Sequence, residues 1–139
     1  VTSPGLGGVA ATADYVLFSD RGLNDTADLW KCLRAADGKE VWSHLTPAKG
    51  SLDYGNSPRA TPLVHGDRVY LLGAFGHLTC VKLKSGEVEW ELDLPLEFDA
   101  TDKPKWGACS SPLVADGKLV VNPGAKDASL VALDLKTGK

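Results

Sequence analysis

The strongest constraint on this chain is a sequence pattern that occurs three times. One part of the pattern reads CLRAADGKEVW at residues 32–42, CVKLKSGEVEW at residues 80–90 and ALDLKTGK at residues 132–139. Its glycines, Gly38, Gly86 and Gly138, are 48 and 52 residues apart. Because repeats of this length stack one supersecondary unit on the next, the pattern predicts a repeated fold.

A second part of the pattern lies upstream of the first in each copy. It reads ATPLVHGDRVY at residues 60–70 and SSPLVADGKLV at residues 110–120, with a weaker copy at residues 8–17. The prolines of the two clear copies, Pro62 and Pro112, are 50 residues apart. The chain is therefore predicted to divide into three units, at about residues 5–45, 57–94 and 107–139.

Each unit consists of short β-branched or aromatic runs separated by Gly, Asp and Asn, which is typical of strands joined by tight turns. The last run of the second unit alternates Val88, Trp90 and Leu92 with three glutamates, as in a strand with one exposed face. The strands predicted for this unit cover residues 61–64, 68–72, 78–83 and 87–92.

Four antiparallel strands in each repeated unit predict an all-β fold, a β-propeller segment of about three four-stranded blades. The last blade is expected to lack its outer strand, because the third copy of the pattern stops at Lys139.

A tryptophan follows the turn glycine by four residues in the first two units, as Trp42 and Trp90. A single small sheet cannot bury its own faces, so each blade needs a large flat side chain to fill the wedge beside its neighbour. We therefore predict a structural docking role for both tryptophans and for the turn glycines Gly38, Gly86 and Gly138. Stacking against a ligand is the alternative role for the two indoles.

The two parts of the pattern together resemble the PQQ-like repeat of quinoprotein-like β-propellers. The resemblance covers nearly the whole chain and rests on Ser/Thr-Pro-Leu-Val, followed downstream by a turn glycine and a tryptophan. It implies a fold but no particular reaction, because two groups of proteins share the repeat. One group comprises quinone-dependent dehydrogenases. The other comprises non-catalytic propellers, such as the bacterial outer-membrane assembly lipoprotein and uncharacterised secreted bacterial proteins.

The resemblance implies a non-catalytic propeller module that serves as a protein- or ligand-binding scaffold. The alternative is part of a dehydrogenase that uses pyrroloquinoline quinone (PQQ). The dehydrogenases that the chain resembles hold the quinone with calcium on the propeller axis, and many carry two adjacent cysteines. The chain has no Cys-Cys pair, so neither a catalytic residue nor a cofactor is expected, and PQQ with calcium belongs to the alternative only. The resemblance also implies a periplasmic or secreted bacterial protein.

Long loops on a rigid scaffold are preferred places for binding, and three loops are longer than strand connection requires. They span residues 20–28, 46–60 and 95–110. The guanidinium of Arg59 could bind a carboxylate or phosphate, or could instead pair with Asp53 or a loop carbonyl. Trp106 is the best aromatic candidate for an exposed contact, with loop packing as the alternative. The binding candidates are Arg59, Tyr54, Asn56, Trp106 and Arg21.

No metal site is expected from the sequence. Three aspartates and one asparagine in the first long loop have the chemistry of hard-cation ligands, but they lack the spacing and the terminal Glu of a calcium loop. These residues are Asp20, Asn24, Asp25 and Asp28.

The histidines and cysteines are also expected to be structural or unreactive. His65 and His77 are predicted to be surface turn residues, and His44 a solvated side chain. The cysteines are expected to be buried or partly buried free thiols, with an intermolecular bridge through Cys109 as the alternative. They are Cys32, Cys80 and Cys109.

Composition and length limit the classes of partner. Fifteen Lys and Arg residues against 18 Asp and Glu give a net charge of −3 without a basic stripe, so nucleic acid is not an expected partner. The apolar runs are far shorter than the ~18 residues of a membrane span. The three units are fewer than the ~4–8 blades of closed propellers. The expected partners are therefore a protein, further propeller blades, or other copies of the chain paired through exposed strand edges.

Overall fold

The structure is a computed structural model that describes residues 5–100 and 105–139. Over these residues the chain folds into three antiparallel sheets. The first sheet contains β1 (Ala10–Ala11), β2 (Tyr15–Arg21), β3 (Ala27–Arg34) and β4 (Glu40–Pro47). The second contains β5 (Leu63–His65), β6 (Arg68–Leu72), β7 (His77–Lys82) and β8 (Val88–Asp93). The third contains β9 (Leu113–Ala115), β10 (Lys118–Val121) and β11 (Val131–Asp134).

Helical structure is limited to two short connections in the described residues. A 3-10 turn, Leu23–Asp25, lies between β2 and β3, and a short helix, α1 (Leu94–Glu97), follows β8. None of the described helices is both long and apolar enough to cross a membrane. The all-β fold class predicted from the sequence is confirmed.

Strands follow one another in space as they do in sequence, so each sheet is a meander. In the second sheet, β6 occupies the predicted residues 68–72, while β7 begins one residue before its prediction, at His77. The innermost strand is shorter than predicted and covers Leu63–His65. The predicted strand included Pro62. Because proline has no N–H to donate to a β-ladder, the observed strand begins after it.

The turn that precedes each outer strand position has the same backbone geometry in all three units. Gly38, Gly86 and Gly138 have φ angles of +70°, +71° and +70°, a left-handed conformation that glycine adopts without a Cβ penalty. Each donates its N–H to the carbonyl four residues earlier at 2.9 Å. The repeated sequence therefore encodes one repeated turn.

The hydrophobic core lies between the sheets, in two layers. Strand β6 contributes to both, because its successive side chains point to opposite faces. Val69 and Leu71 pack towards the first sheet, and Tyr70 and Leu72 pack towards the third. All four side chains are buried, so the middle sheet is covered on both faces.

Each of the two predicted docking tryptophans contacts the turn of the following sheet. The Trp42 indole Nε1 donates to the Leu83 carbonyl at 2.7 Å, and a methyl group added at Gly86 would lie 2.7 Å from Trp42 Cγ. The Trp90 Nε1 donates to the Leu135 carbonyl at 3.2 Å, and a methyl group at Gly138 would lie 2.8 Å from Trp90 Cε3. Only glycine leaves room for the ring at these two turns.

Two histidine predictions are wrong, and a third is wrong in part, because His65 is exposed as predicted but belongs to β5 rather than to the turn. His44 is not solvated, because its side chain is 16% exposed and lies 3.7 Å from Glu91 in the second sheet. Burial lowers the pKa of His44, and the Glu91 carboxylate opposes that change. His77 belongs to β7 rather than to a surface turn, and its Nε2 lies 3.6 Å from Asp93.

All three cysteines are free thiols, as predicted, but Cys109 lacks the predicted burial. Cys32 and Cys80 are buried in the two core layers, whereas Cys109 is exposed. Burial raises the pKa of Cys32 to about 11 and that of Cys80 to about 12. Both buried thiols are therefore protonated and unreactive near neutral pH.

Candidate binding surface

Arg21 lies inside the first sheet rather than on the surface. Its side chain is 3% exposed, and its guanidinium is held by two carboxylates and two carbonyls. Nε donates to Asp25 Oδ1 at 2.7 Å and NH1 to Asp28 Oδ1, and NH2 donates to the Asp25 carbonyl at 3.0 Å and to the Ala48 carbonyl. The expectation that Arg21 binds a ligand therefore does not fit its position, because the charge is buried and already neutralised. Its contacts are those of a structural cation.

Asp28 is the buried partner of Arg21, and only one of its carboxylate oxygens is paired. Oδ1 bonds to Arg21, whereas Oδ2 has no hydrogen-bond partner among the described residues. Burial raises the pKa of Asp28 to about 6, against the opposing charge of Arg21. Asp25 is exposed, and its hydrogen bond with Arg21 lowers its pKa.

Asn56 connects the long loop at residues 46–60 by a hydrogen bond to the group of ion-paired side chains around Arg21, which consists of Arg21, Asp25 and Asp28. Its Oδ1 accepts from the Leu52 N–H at 2.9 Å, and its Nδ2 donates to Asp25 Oδ2 at 2.6 Å. Nδ2 also donates to the Gly50 carbonyl at 3.2 Å. Both ends of the amide are thus used to shape the loop, so Asn56 positions its neighbours and does not itself face a ligand.

Arg59 holds the tip of the same loop. Its NH2 donates to the carbonyls of Asp53 and Gly55 at 3.0 and 2.7 Å, and its NH1 donates to the Ser57 carbonyl. Of the two alternatives to ligand binding, pairing with loop carbonyls is the one that the structure shows. No carboxylate in residues 5–100 or 105–139 forms an ion pair with Arg59, so its charge stays available to an acidic group.

Tyr54 stands between the two carbonyls that Arg59 bridges. Its φ of +65° is left-handed, a rare conformation for a bulky residue, and its side chain is 85% exposed. Strain of this kind persists only where surrounding contacts hold it, and it is concentrated at functional sites. Arg59 supplies the holding contacts here.

Trp106 is presented by the second interblade loop, beside the first. The Asp53 N–H donates to the Lys105 carbonyl at 2.9 Å, and a methyl group at Gly107 would lie 2.8 Å from Leu52 Cδ1. The Ala108 N–H then donates to Ala74 at 2.8 Å, which fixes this loop to the second sheet. Trp106 is 58% exposed, so more than half of its surface is open to solvent.

We call the group formed by the exposed Tyr54 and Trp106 and the half-buried Arg59 the loop surface. It combines two aromatic side chains and one cation on two loops that are hydrogen-bonded to each other. Loop length and residue type single out all three as binding candidates, and that role stays a prediction. The Arg21 group was not predicted, although one arginine among several aspartates in a short segment is a signal for a buried ion-pair cluster.

A second polar region lies between the first and second sheets. A cavity of about 280 Å³ there is lined by Thr46, His77, Thr79, Glu91 and Asp93, among others. The described residues include no group of three or more His, Cys, Asp or Glu side chains arranged to hold a metal ion. The cavity is lined mainly by polar and charged side chains at the boundary of the two sheets.

A family model described as outer membrane protein assembly factor BamB matches residues 25–139 of the chain. The chain belongs to this family. It is a PQQ-like repeat propeller, as the sequence pattern predicts, and no curated protein sequence matches it.

Solved structures show the same fold for the BamB-family chain. The structure is similar to BamB from Moraxella catarrhalis, with a TM-score of 0.65 and 22% identity over 96% of this chain and 35% of that chain. It is similar to quinohemoprotein alcohol dehydrogenase ADHIIG from Pseudomonas putida HK5, with a TM-score of 0.63 and 20% identity over 94% of this chain and 19% of that chain. A europium-containing methanol dehydrogenase gives a TM-score of 0.61 and 13% identity, over 97% of this chain and 25% of that one. The chain thus spans about a third of the length of that BamB and a quarter or less of the dehydrogenases.

Proposed function

We propose that the chain is a non-catalytic, protein-binding propeller module whose contact face is the loop surface. The observation that carries the proposal is the exposure of Tyr54 and Trp106 on loops that are fixed to each other and to the sheets. The family description, an outer membrane protein assembly factor, supports a protein as the partner. It also supports the bacterial periplasm or cell surface as the location.

The chemistry of the loop surface suits a protein partner. Tyr and Trp supply large, rigid contact areas with few rotatable bonds, and they are enriched at the energetic centres of interfaces. Arg59 can donate hydrogen bonds to an acidic side chain of the partner while it keeps its bonds to the loop carbonyls, because a guanidinium has five N–H donors. Asn56 maintains the loop that carries both groups.

We also propose that the three repeated units, at about residues 5–45, 57–94 and 107–139, are propeller blades docked through their tryptophans. The support is the recurrence of one contact, in which an indole N–H bonds to a turn carbonyl and the ring covers a turn glycine. Trp42 with Gly86 and Trp90 with Gly138 are the two docking pairs. This role explains why both indoles are used within the fold rather than for ligand stacking.

Part of a PQQ-dependent dehydrogenase is the second candidate function, favoured by the likeness to the two dehydrogenase structures. PQQ would supply the electron-accepting group of such an enzyme. The described residues do not fit a resident calcium ion, because they bring together no suitable cluster of acidic or histidine side chains.

The loop surface can be tested with single-residue variants. We expect Trp106→Ala to weaken binding to purified outer-membrane assembly proteins of the same bacterium by more than about tenfold, as for a central aromatic contact. The matched control is Leu130→Ala, which removes another exposed apolar side chain on the third unit. Biolayer interferometry with immobilised chain would measure both affinities.

Equal affinities for the two variants would contradict the assignment of the loop surface.

The non-catalytic part of the proposal has its own test. Dye reduction by the purified protein with calcium, PQQ, and alcohols or sugars is expected to stay at background. Sustained reduction that requires both calcium and PQQ would overturn this part and support the dehydrogenase.

A further inference from the structure

Most of the buried side-chain N and O atoms that lack a hydrogen-bond partner in the described residues lie at one boundary, between the first and second sheets. They are His44 Nε2 and Thr46 Oγ1 of β4, His77 Nδ1 of β7, and Oδ2 of Asp28, the cross-strand neighbour of Thr46. Asp28 lies against Gly73, which directly follows β6 of the second sheet. Because a buried polar atom without a partner costs free energy, this boundary is suited to a ligand that forms hydrogen bonds with its walls.

The cavity of about 280 Å³ between the two sheets gives access to this boundary. Thr46 and His77 line it together with Glu91 and Asp93 of β8. The ladder between β7 and β8 pairs Asp93 with His77 and Glu91 with Thr79, so both carboxylates belong to the wall of the cavity. Glu91 is exposed and Asp93 is half-buried, so the cavity is open to solvent beside them. Since a water molecule occupies ~30 Å³ in the liquid, the cavity has room for the head group of a side chain.

The two carboxylates of the cavity lack a cationic partner. The other two acidic residues of this part of the chain form ion pairs, Glu87 with Lys82 and Glu89 with Arg68. Among the described residues, Glu91 and Asp93 lie within 4 Å of a histidine nitrogen but of no Lys or Arg nitrogen. Because burial lowers the pKa of His44, the imidazole beside Glu91 is neutral near pH 7. The cavity therefore has the charge that attracts a cation.

We infer that this cavity binds the guanidinium of an arginine side chain from a partner protein. A guanidinium has five N–H donors and no acceptor, which matches walls that consist of acceptors. Glu91 and Asp93 accept charge-assisted hydrogen bonds from it, and Thr46 Oγ1 accepts from a further N–H. His77 Nδ1 is an acceptor as well, because the ring proton belongs on Nε2, the nitrogen that faces Asp93.

A protein as the source of the arginine rests on the proposed function, whereas recognition of the guanidinium rests on the cavity alone. The cavity shares no residue with the loop surface. A small probe tests the cavity without any partner, and the Trp106→Ala experiment tests the loop surface without the cavity, so the failure of one assignment is distinguishable from the failure of the other.

The site can be tested on the chain itself with acetyl-arginine-amide as the probe, followed by amide chemical shifts. We expect saturable shifts centred on Thr79, Glu91 and Asp93. Acetyl-citrulline-amide has nearly the same shape without the charge and is expected to bind about tenfold more weakly, the effect of hydrogen bonds to charged groups. Equal binding of the two probes would overturn the proposal. The absence of saturable shifts would overturn it too, because solvent alone would then fill the cavity.

Two further probes define the occupant. Acetyl-lysine-amide carries the same charge on a compact ammonium with three donors, so it is expected to bind more weakly than the arginine probe. Free arginine is expected to bind no more tightly than the blocked probe, because the described walls of the cavity provide no cation for its α-carboxylate. Equal binding of the lysine probe would overturn the recognition of a guanidinium. Tighter binding of free arginine would overturn a protein as the source.

A pair of glutamate variants gives an independent check. Glu91→Gln keeps the shape of the side chain but removes its charge, and it is expected to weaken binding of acetyl-arginine-amide about tenfold. Glu87→Gln is the matched control, because Glu87 lies outside the cavity and its side chain is 63% exposed, against 57% for Glu91. Equal weakening by the two variants would show that the probe responds to net charge only and would contradict the site.

Discussion

At the scale of single residues, Tyr54 is held in a conformation that its side chain disfavours. Its φ of +65° places the Cβ against its own backbone, which costs about 1 kcal/mol in an L-residue. Tyr54→Gly is therefore expected to raise the free energy of unfolding by about 0.5–1 kcal/mol in urea titrations. Tyr54→Ala, the matched control, removes the same ring but keeps the strain.

The comparison separates strain from the loss of the aromatic ring. If Tyr54→Gly is no more stable than Tyr54→Ala, the left-handed turn is not strained. If both variants lose partner binding while the glycine variant gains stability, the strained turn exists to present the ring.

At the same scale, Asp28 makes the free energy of unfolding depend on pH. Burial raises its pKa from the ordinary 3.8 to about 6, so the folded state holds the proton more tightly than the unfolded chain does. The stability from this group is fully present below about pH 4 and is lost as pH rises through 6. The contribution of Asp28 to the free energy of unfolding changes by about 3 kcal/mol in total, because each unit of pKa difference between the folded and unfolded states corresponds to ~1.4 kcal/mol.

The measurement is the free energy of unfolding of the wild type minus that of Asp28→Asn, at several values between pH 4 and pH 7. Asparagine keeps the shape of the side chain but does not titrate, so other groups cancel in the difference. We expect the difference to fall by about 3 kcal/mol across this range. A difference that rises with pH would mean that the ion pair with Arg21 outweighs burial.

At the scale of elements, the contact between an outer strand and the next turn depends on a missing Cβ. Gly86→Ala adds a methyl group 2.7 Å from the Trp42 ring, closer than atoms can approach without movement. It is expected to lower the free energy of unfolding by about 2–3 kcal/mol, of which about 1 kcal/mol is left-handed strain. Gly66→Ala carries the strain alone and is expected to cost only about 1 kcal/mol.

Urea titration of both variants measures the two costs. Near-equal values would show that Trp42 moves aside freely and that its packing on Gly86 contributes little. In that case the interblade contact would rest on the aliphatic core layer, Val69 and Leu71 with Leu17, rather than on the indole.

The elements themselves could largely be predicted from the sequence, because local patterns set them. The turn residues Gly66-Asp67 precede β6, and Gly73 directly follows its last residue, Leu72, so both of its ends are recognisable. His44 could not be assigned in this way, because its burial depends on Glu91, a residue of another sheet. Loop length and residue type select Tyr54, Arg59 and Trp106 as binding candidates, and pairing of Arg59 with a loop carbonyl is one of the expected alternatives. Which carbonyls Arg59 bonds to depends on loop geometry that the sequence pattern does not encode.

At the scale of the whole molecule, stability is unevenly distributed among the three sheets. The middle sheet has buried side chains on both faces, whereas Leu45 of the first sheet and Leu113 of the third remain exposed. In a repeat protein each unit contacts only its neighbours, so the unit with two neighbours is stabilised by two interfaces. The middle sheet is therefore the last part of the fold to open.

Native-state hydrogen exchange tests this order directly. We expect the amides of β6 and β7 to exchange most slowly and through the largest opening, with β2 and β10 opening in smaller, separate events. Val69→Ala is expected to accelerate exchange in the first and second sheets, because Val69 belongs to the layer between them. Leu72→Ala, the matched substitution on the other face of β6, is expected to accelerate exchange in the second and third sheets instead. Uniform acceleration across all three sheets by either variant would show that the blades unfold as one cooperative unit, in which the two core layers are not separate sources of stability.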